Sequence, residues 1–151
     1  MRNVTLFLIT IIFMYSSKAM ACEPCPSYWS VQDSLDAADL VIIGKRITPL
    51  QQGEDKLENT PEFVDIAVET VLKGKEERTT IRAKAWSSMC PYGIVTPPEK
   101  FYVMIMIKSK DGAYYDSLNN GCAVSTITVN DNTLTTRDGT MTLEHFKTMI
   151  K

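Results

Sequence analysis

The sequence has very little of what catalysis usually requires. Histidine occurs once, as His145, and nothing near it supplies the nucleophile and the orienting partner that a catalytic base needs, so we interpret it as a solvated helix residue. No glycine-rich phosphate loop is present, and the neighbouring carboxylates of Glu76 and Glu77 are typical of solvent-facing charge. We therefore expect that the protein is not an enzyme and that it carries no cofactor.

Two further absences limit the partners. The 16 basic residues do not outnumber the 18 acidic ones, and the formal net charge of −2 argues against nucleic acid or an anionic membrane surface as partner. Beyond the start of the chain no apolar run approaches the ~20 residues of a membrane-spanning helix, because the most hydrophobic later stretch, 101–107, has the length of a strand. We expect no nucleic-acid partner and no transmembrane segment.

The first 21 residues have the features of a secretory signal peptide. Arg2 supplies the positive start, Val4–Tyr15 the apolar stretch, and Ala19-Met20-Ala21 the small-residue cleavage site. Cleavage there would leave 22–151 as the mature chain, in which no repeat or change of composition marks a second domain. We expect a secreted or periplasmic protein with one domain.

A lipid anchor is the competing interpretation of the cleavage site. A cysteine directly after a leader, here Cys22, is also how lipid-anchored bacterial envelope proteins begin. Their recognition site usually has a bulky aliphatic residue three positions before the cysteine, where this chain has Ala19. We favour plain cleavage, which would leave Cys22 with a free α-amine beside its own carbonyl. A disulfide that pinned this residue would make it a rigid two-atom metal chelator.

Four cysteines would remain after cleavage: Cys22, Cys25, Cys90 and Cys122. An even number in an exported chain predicts two structural disulfides and leaves three pairings open. Two of these pairings join the N-terminal pair to distant segments, and each long loop would contribute about 4–5 kcal/mol through its closure entropy, without full additivity. A redox pair in the thioredoxin manner would need a strand before it, and a structural zinc site would need a second closely spaced pair. We therefore favour structural disulfides.

Hydrophobic periodicity predicts a mostly β fold. Alternation is clearest in 63–72, where it places Val64, Ile66, Val68 and Leu72 on one face. We expect a small antiparallel barrel, closed or partly closed, with a short helix near each end. Further strands are expected at about 40–47, 79–86, 101–109 and 113–118, with a hairpin at Asp111-Gly112 and a weaker strand pair around 130–132. The first helix would be capped by Ser30. The second would cover 141–150 and place Leu143, Phe146, Met149 and Ile150 on one face.

Several short matches, in a shared order and at similar spacing, resemble one known family. They are the cysteine pair that opens the mature chain, Asp39–Ile42 with Lys45, Val71–Gly74, Ser88–Cys90, and Lys108–Gly112 followed by Cys122. From about Cys22 to Cys122 the chain thus resembles the tissue inhibitors of metalloproteinases and the wider netrin-like modules. The resemblance implies a netrin-like barrel of the oligonucleotide/oligosaccharide-binding (OB) type, without the second, inhibitor-only domain of that family.

The resemblance also implies a site and a partner. It implies the disulfides Cys22–Cys90 and Cys25–Cys122. The implied partner is a zinc metalloprotease, whose metal would be chelated by the backbone amine and carbonyl of Cys22. The residues that would enter the protease cleft form the inhibitory ridge, which consists of Cys22, Glu23, Pro24, Ser88 and Met89.

The chain departs from the family at the ridge itself. The family has one residue between its first two cysteines, whereas this chain has Glu23 and Pro24. Glu23 would place a carboxylate in a mostly apolar specificity pocket, and an unpaired buried charge is costly. A non-inhibitory extracytoplasmic protein-binding module is therefore the alternative to inhibition, as is the lipid-anchored envelope protein.

Four aromatic residues lie close to cysteines in the sequence and would surround the inhibitory ridge. We interpret them as ordinary packing residues, with an interaction patch as the alternative. They are Tyr28, Trp29, Trp86 and Tyr92.

Overall fold

A closed ring of five strands organises the part of the chain that the structure describes. The computed structural model describes residues 25, 27–49, 61–85, 96–118 and 122–151. The elements in chain order are α1 (Val31–Ala37), β1 (Leu40–Arg46), β2 (Phe63–Lys73), β3 (Thr80–Lys84), β4 (Tyr102–Lys108), β5 (Tyr115–Ser117), β6 (Thr126–Asn130), β7 (Thr133–Thr136), β8 (Gly139–Thr142) and α2 (Leu143–Met149). The expected mostly β, OB-like barrel with a short helix near each end is confirmed.

The ring closes because β1 pairs with β2 on one edge and with β4 on the other. Its strand order is β1-β2-β3-β5-β4, and the second pairing of β1, with β4, completes the circle. One contact differs from the expected antiparallel pattern, since β3 and β5 meet in parallel at Ala83 and Tyr115. Strands β6, β7 and β8 continue from β4 as an antiparallel meander, of which β8 was not predicted.

Strand β4 separates two hydrophobic clusters. Tyr102, Met104 and Met106 point into the ring, where they pack among side chains of β1, β2 and β3. Val103 and Ile105 point to the other side and pack under both helices and the meander. Full burial of each such side chain contributes roughly 1.5–3 kcal/mol, so an uninterrupted apolar strand at this position stabilises both layers.

Two irregularities in the β1–β2 pairing change the side of the sheet on which residues near the end of β2 pack. The register shifts between Val41 and Ile42 and again between Ile43 and Gly44. Val68 and Val71 therefore both pack on the ring interior, although they are three residues apart. Leu72 packs on the helical side instead. The prediction that Leu72 shares a face with Val64, Ile66 and Val68 is wrong, because each bulge adds a residue and breaks strict alternation.

Both helices begin at side-chain caps that the sequence encodes. The hydroxyl of Ser30 accepts the N–H of Asp33, whose carboxylate accepts the N–H of Ser30 in return. Hydrogen bonds from Ser30 hold the pKa of Asp33 below its ordinary value. The hydroxyl of Thr142 caps α2 by accepting the N–H of His145. The helix buries Phe146 completely, while the side chain of His145 is exposed as expected.

The neighbouring residues Phe146 and His145 offer a matched test of this packing. Phe146→Ala should lower the free energy of unfolding by about 3–5 kcal/mol, because it empties a buried aromatic site on the helical side of β4. His145→Ala on the exposed face of the same helix should change it by no more than about 0.5 kcal/mol. Urea unfolding of both variants measures the difference, and equal effects would contradict the assigned face of α2.

Candidate functional site

The N-terminal segment, which begins at Cys25 and ends at Trp29, is bonded to the barrel at two points. A disulfide joins Cys25 to Cys122, with 5.5 Å between the Cα atoms and 97 residues of separation in sequence. Four residues after Cys25, the backbone N–H of Trp29 donates to the carbonyl of Cys122 at 3.1 Å. The disulfide is one of the two bonds that the family resemblance implies. Together the two fastenings hold the segment against the connection between β5 and β6.

Ser34 bonds α1 to the same connection, although it was not among the functional residues predicted from the sequence. Its hydroxyl donates to the carbonyl of Ser30 at 2.9 Å and accepts the N–H of Val124 at 3.0 Å. The side chain is completely buried between the apolar positions Val31 and Leu35. The sequence feature that could have identified Ser34 is its position on the apolar face of an amphipathic helix, because a buried hydroxyl requires a hydrogen-bond partner.

All five residues of the predicted ridge lie outside the described residues. This holds for Cys22, Glu23, Pro24, Ser88 and Met89, for Cys90, and for the aromatic residues Trp86 and Tyr92. The signal peptide at 1–21 also lies outside them. The Cys22–Cys90 bond and the inhibitory ridge therefore stay predictions, whereas the anchor at Cys25, three residues after Cys22, is part of the structure.

The two described aromatic residues of the N-terminal segment behave differently. Trp29 packs partly against the helical-side cluster, as the packing interpretation expects. Tyr28 does not, since 58% of the residue is exposed. The guanidinium carbon of Arg137, on the turn between β7 and β8, lies 3.6 Å from the centroid of the Tyr28 ring. This is a close cation–π stack between residues that are far apart in sequence.

A groove of about 380 Å³ opens beside this stack. Its walls are formed by Tyr28 and Trp29, by 122–127 and by 135–137. Among the described residues that line it, Arg137 is the one that carries a charge. The rest of the lining is aromatic, aliphatic and hydroxyl-bearing, so the groove offers apolar contact, hydrogen bonds and one fixed positive charge. We name it the Tyr28–Arg137 groove.

A separate polar cluster forms where the β2–β3 connection meets β5. The guanidinium of Arg78 donates to the carboxylate of Glu76 at 2.6 and 2.8 Å, and the hydroxyl of Tyr115 donates to the same carboxylate at 2.8 Å. The hydrogen bonds from Arg78, supported by Tyr115, lower the pKa of Glu76 to about 2. Burial and the neighbouring Glu76 raise the pKa of Tyr115.

The interpretation of Glu76 as solvent-facing charge is therefore wrong. Only 6% of its side chain is exposed, because Arg78 and Tyr115 cover it, whereas Glu77 is exposed. A carboxyl group with a pKa near 2 stays ionised at neutral pH and does not act as a general acid there. The cluster holds the β2–β3 connection against β5, and its carboxylate is a structural group.

No metal centre or membrane-spanning helix occurs in the part of the chain that the structure describes. Within those residues no group of three or more His, Cys, Asp and Glu side chains could hold a metal ion. None of the described helices has the length and apolar character needed to cross a membrane.

Comparison with known proteins gave no match. Neither the protein-family models, nor the curated proteins, nor the solved structures include one that this chain matches.

Removal of the N-terminal anchor should destabilise the fold measurably. The double variant Cys25→Ser, Cys122→Ser opens a loop closed over 97 residues of separation, so its free energy of unfolding should fall by about 2–5 kcal/mol. Ser27→Ala, in the same segment but without a crosslink, is the matched control. Guanidinium unfolding measures both, and an unchanged midpoint in the double variant would show that the bond does not stabilise the barrel.

The Glu76 cluster should make stability depend on pH in the acid range. Because folding lowers the pKa of Glu76 from 4.5 to about 2, its contribution is fully present above pH 4.5 and is lost as the pH falls towards 2. Glu76→Gln should therefore destabilise the protein at pH 7 and differ less from the unsubstituted protein at pH 2.5. Urea midpoints at both pH values test this, with Glu77→Gln as the control, and a constant difference would contradict it.

Proposed function

We propose that this protein is an extracytoplasmic, disulfide-stabilised inhibitor of a zinc metalloprotease, similar to the tissue inhibitors of metalloproteinases. The observation that carries the proposal is the anchoring of the N-terminal segment, through Cys25–Cys122, on a closed five-stranded barrel. Both the barrel and this bond are what the family resemblance implies. The disulfide is also compatible with an oxidising compartment outside the cytoplasm.

The proposed mechanism uses the backbone of Cys22. Once the signal peptide is removed, its α-amine and carbonyl would chelate the zinc of the protease and displace the water that hydrolyses peptides. Zn–N distances of about 2.0–2.1 Å are typical of such contacts. The amine must bind without its proton, and an α-amine pKa of about 7.7–8.0 makes the loss of that proton inexpensive near neutral pH.

Anchoring lowers the cost of this binding. A free chain terminus loses conformational entropy when a partner orders it, and that loss is subtracted from the binding free energy. The disulfide at Cys25 and the hydrogen bond from Trp29 to Cys122 already restrict the segment before any partner arrives. A second disulfide, between Cys22 and Cys90, would extend this restriction to the chelating residue itself.

A second candidate function follows from the composition of the ridge. Glu23 and the additional Pro24 suit an apolar specificity pocket poorly, which favours a protein-binding module that does not inhibit a protease. In that case the barrel surface, rather than the α-amine of Cys22, would contact the partner. A lipid on Cys22 would consume its thiol and its amine and would exclude both the chelation and the Cys22–Cys90 bond.

The decisive experiment places one alanine before Cys22 of the mature protein. The protein is first purified with its native terminus, and its intact mass and a non-reducing peptide map establish a free, unlipidated Cys22. We expect the unextended protein to inhibit at least one member of a panel of zinc metalloproteases, and the extended variant to lose inhibition entirely because its Cys22 amine has become an amide. Equal activity of the two proteins would favour the binding module.

Two further readouts separate chelation from simple occlusion of the cleft. Inhibition by chelation should weaken as the pH falls below the pKa of the amine, approaching tenfold per pH unit, since a growing fraction of the amine is protonated. Glu23→Thr should tighten inhibition, because it removes a carboxylate from an apolar pocket. An inhibition constant that responds to neither change would count against the proposed ridge.

A further inference from the structure

The Tyr28–Arg137 groove has a composition that is typical of protein recognition. Tyr, Trp and Arg are the side chains most often found at the energetic centres of protein–protein interfaces, and Tyr28, Trp29 and Arg137 all line this one groove. Tyr28 is one of the large hydrophobic residues that the described surface leaves exposed. Its exposure has no explanation in the packing of the barrel, where its neighbour Trp29 already covers the helical-side cluster.

The stack with Tyr28 fixes the orientation of the Arg137 guanidinium and leaves its edge available. A guanidinium that lies over an aromatic ring keeps its N–H donors in its own plane, directed away from the ring. In the described structure no hydrogen bond or salt bridge from Arg137 to a protein group is formed. Asp138, its sequence neighbour, does not line the groove. Paired N–H donors in this arrangement match the two oxygens of a carboxylate.

The distribution of charge around Tyr28 favours an acidic ligand on one side only. On the groove side Arg137 is the one charged residue in the described part of the lining. A second pocket that Tyr28 also lines includes Asp33 and Asp36, which repel anions. The formal net charge of the protein is −2, so the charge of Arg137 is not part of a general positive excess. A carboxylate-bearing segment is therefore directed to Arg137.

The remaining lining offers hydrogen bonds to a peptide. Ser125, Thr126, Thr135 and Thr136 contribute hydroxyl groups to the walls. The hydroxyl of Ser125 is buried and has no hydrogen-bond partner in the described structure. The accessible hydroxyl groups of this wall are therefore those of the three threonines.

From these observations we propose that the Tyr28–Arg137 groove binds an acidic peptide segment of a partner protein. A Glu or Asp carboxylate of that segment pairs with the edge of the Arg137 guanidinium. The flanking residues of the segment lie over Tyr28 and along 122–127. The groove is preformed, since the Cys25–Cys122 disulfide and the Trp29 to Cys122 hydrogen bond hold one wall in place.

The test uses the acetylated and amidated peptide Ala-Glu-Tyr-Glu-Ala and its counterpart in which both Glu residues are replaced by Gln. Amide chemical shifts of the ¹⁵N-labelled mature protein are followed as each peptide is added. We expect the Glu peptide to shift signals from 28–29, 122–127 and 135–137, and the Gln peptide to bind at least about tenfold more weakly, because it cannot form the charge-assisted pair.

Substitutions assign the effect to named side chains. Arg137→Ala should weaken binding of the Glu peptide at least about tenfold. Arg137→Lys should recover only part of the lost affinity, because an ammonium group neither stacks flat on a ring nor donates two parallel hydrogen bonds to a carboxylate. Tyr28→Phe should retain binding, since the ring remains, and Tyr28→Ala should not. Arg82→Ala is the matched control: Arg82 also lies over an aromatic ring, that of Phe63, but Asp65 is 3.9 Å away and the pair is outside the groove.

Three results would overturn the proposal. Equal binding of the Glu and Gln peptides would show that charge does not select the ligand. An equal loss of peptide affinity in Arg82→Ala and Arg137→Ala would show a general electrostatic attraction that is not specific to the groove. Shifts of the same signals on raising the protein concentration alone would assign the groove to a second copy of the chain. The proposal stands apart from zinc chelation, because an alanine placed before Cys22 should abolish protease inhibition and leave peptide binding unchanged.

Discussion

The pairing of β4 on both of its edges is the constraint on which the rest of the structure depends. One edge is taken by β1, and the other is shared between β5 and β6. Because side chains on both faces are buried as well, the strand has to be apolar almost throughout, and Tyr102–Ile107 meets that requirement. The β1–β4 pairing closes the ring, and the outer face of β4 supports both helices. A disruption at β4 would expose both hydrophobic clusters at once.

The rigidity of the N-terminal segment follows from that arrangement. Cys122 lies in the connection between β5 and β6, and β4 pairs with both of these strands. A disulfide from Cys25 therefore ends on a connection that is held on both sides, and Ser34 adds a hydrogen bond from α1 to Val124 in the same connection. Bonds to a mobile loop would restrict the segment much less. The barrel thus makes the segment a preorganised surface, which lowers the entropy lost on binding.

Local patterns in the sequence predicted the elements well, and contacts between distant elements account for the differences. The Ser30 cap, the strand at about 79–86 and the buried face of α2 depend on near neighbours and are confirmed. Leu72 was misplaced because bulges are set by the partner strand, and Glu76 because Tyr115, 39 residues away, helps to cover it. The Cys25–Cys122 pairing came from family resemblance, since spacing left three pairings open. The stack of Tyr28 and Arg137 has no sequence signal, as each residue is unremarkable within its own segment.

The location of the groove has a consequence for how a partner approaches. The positive charge of Arg137 attracts an acidic segment towards the groove before contact. The groove adjoins Cys122 and therefore the anchor at Cys25, three residues after Cys22. An acidic segment in the groove therefore lies against the wall that the Cys25–Cys122 disulfide holds in place.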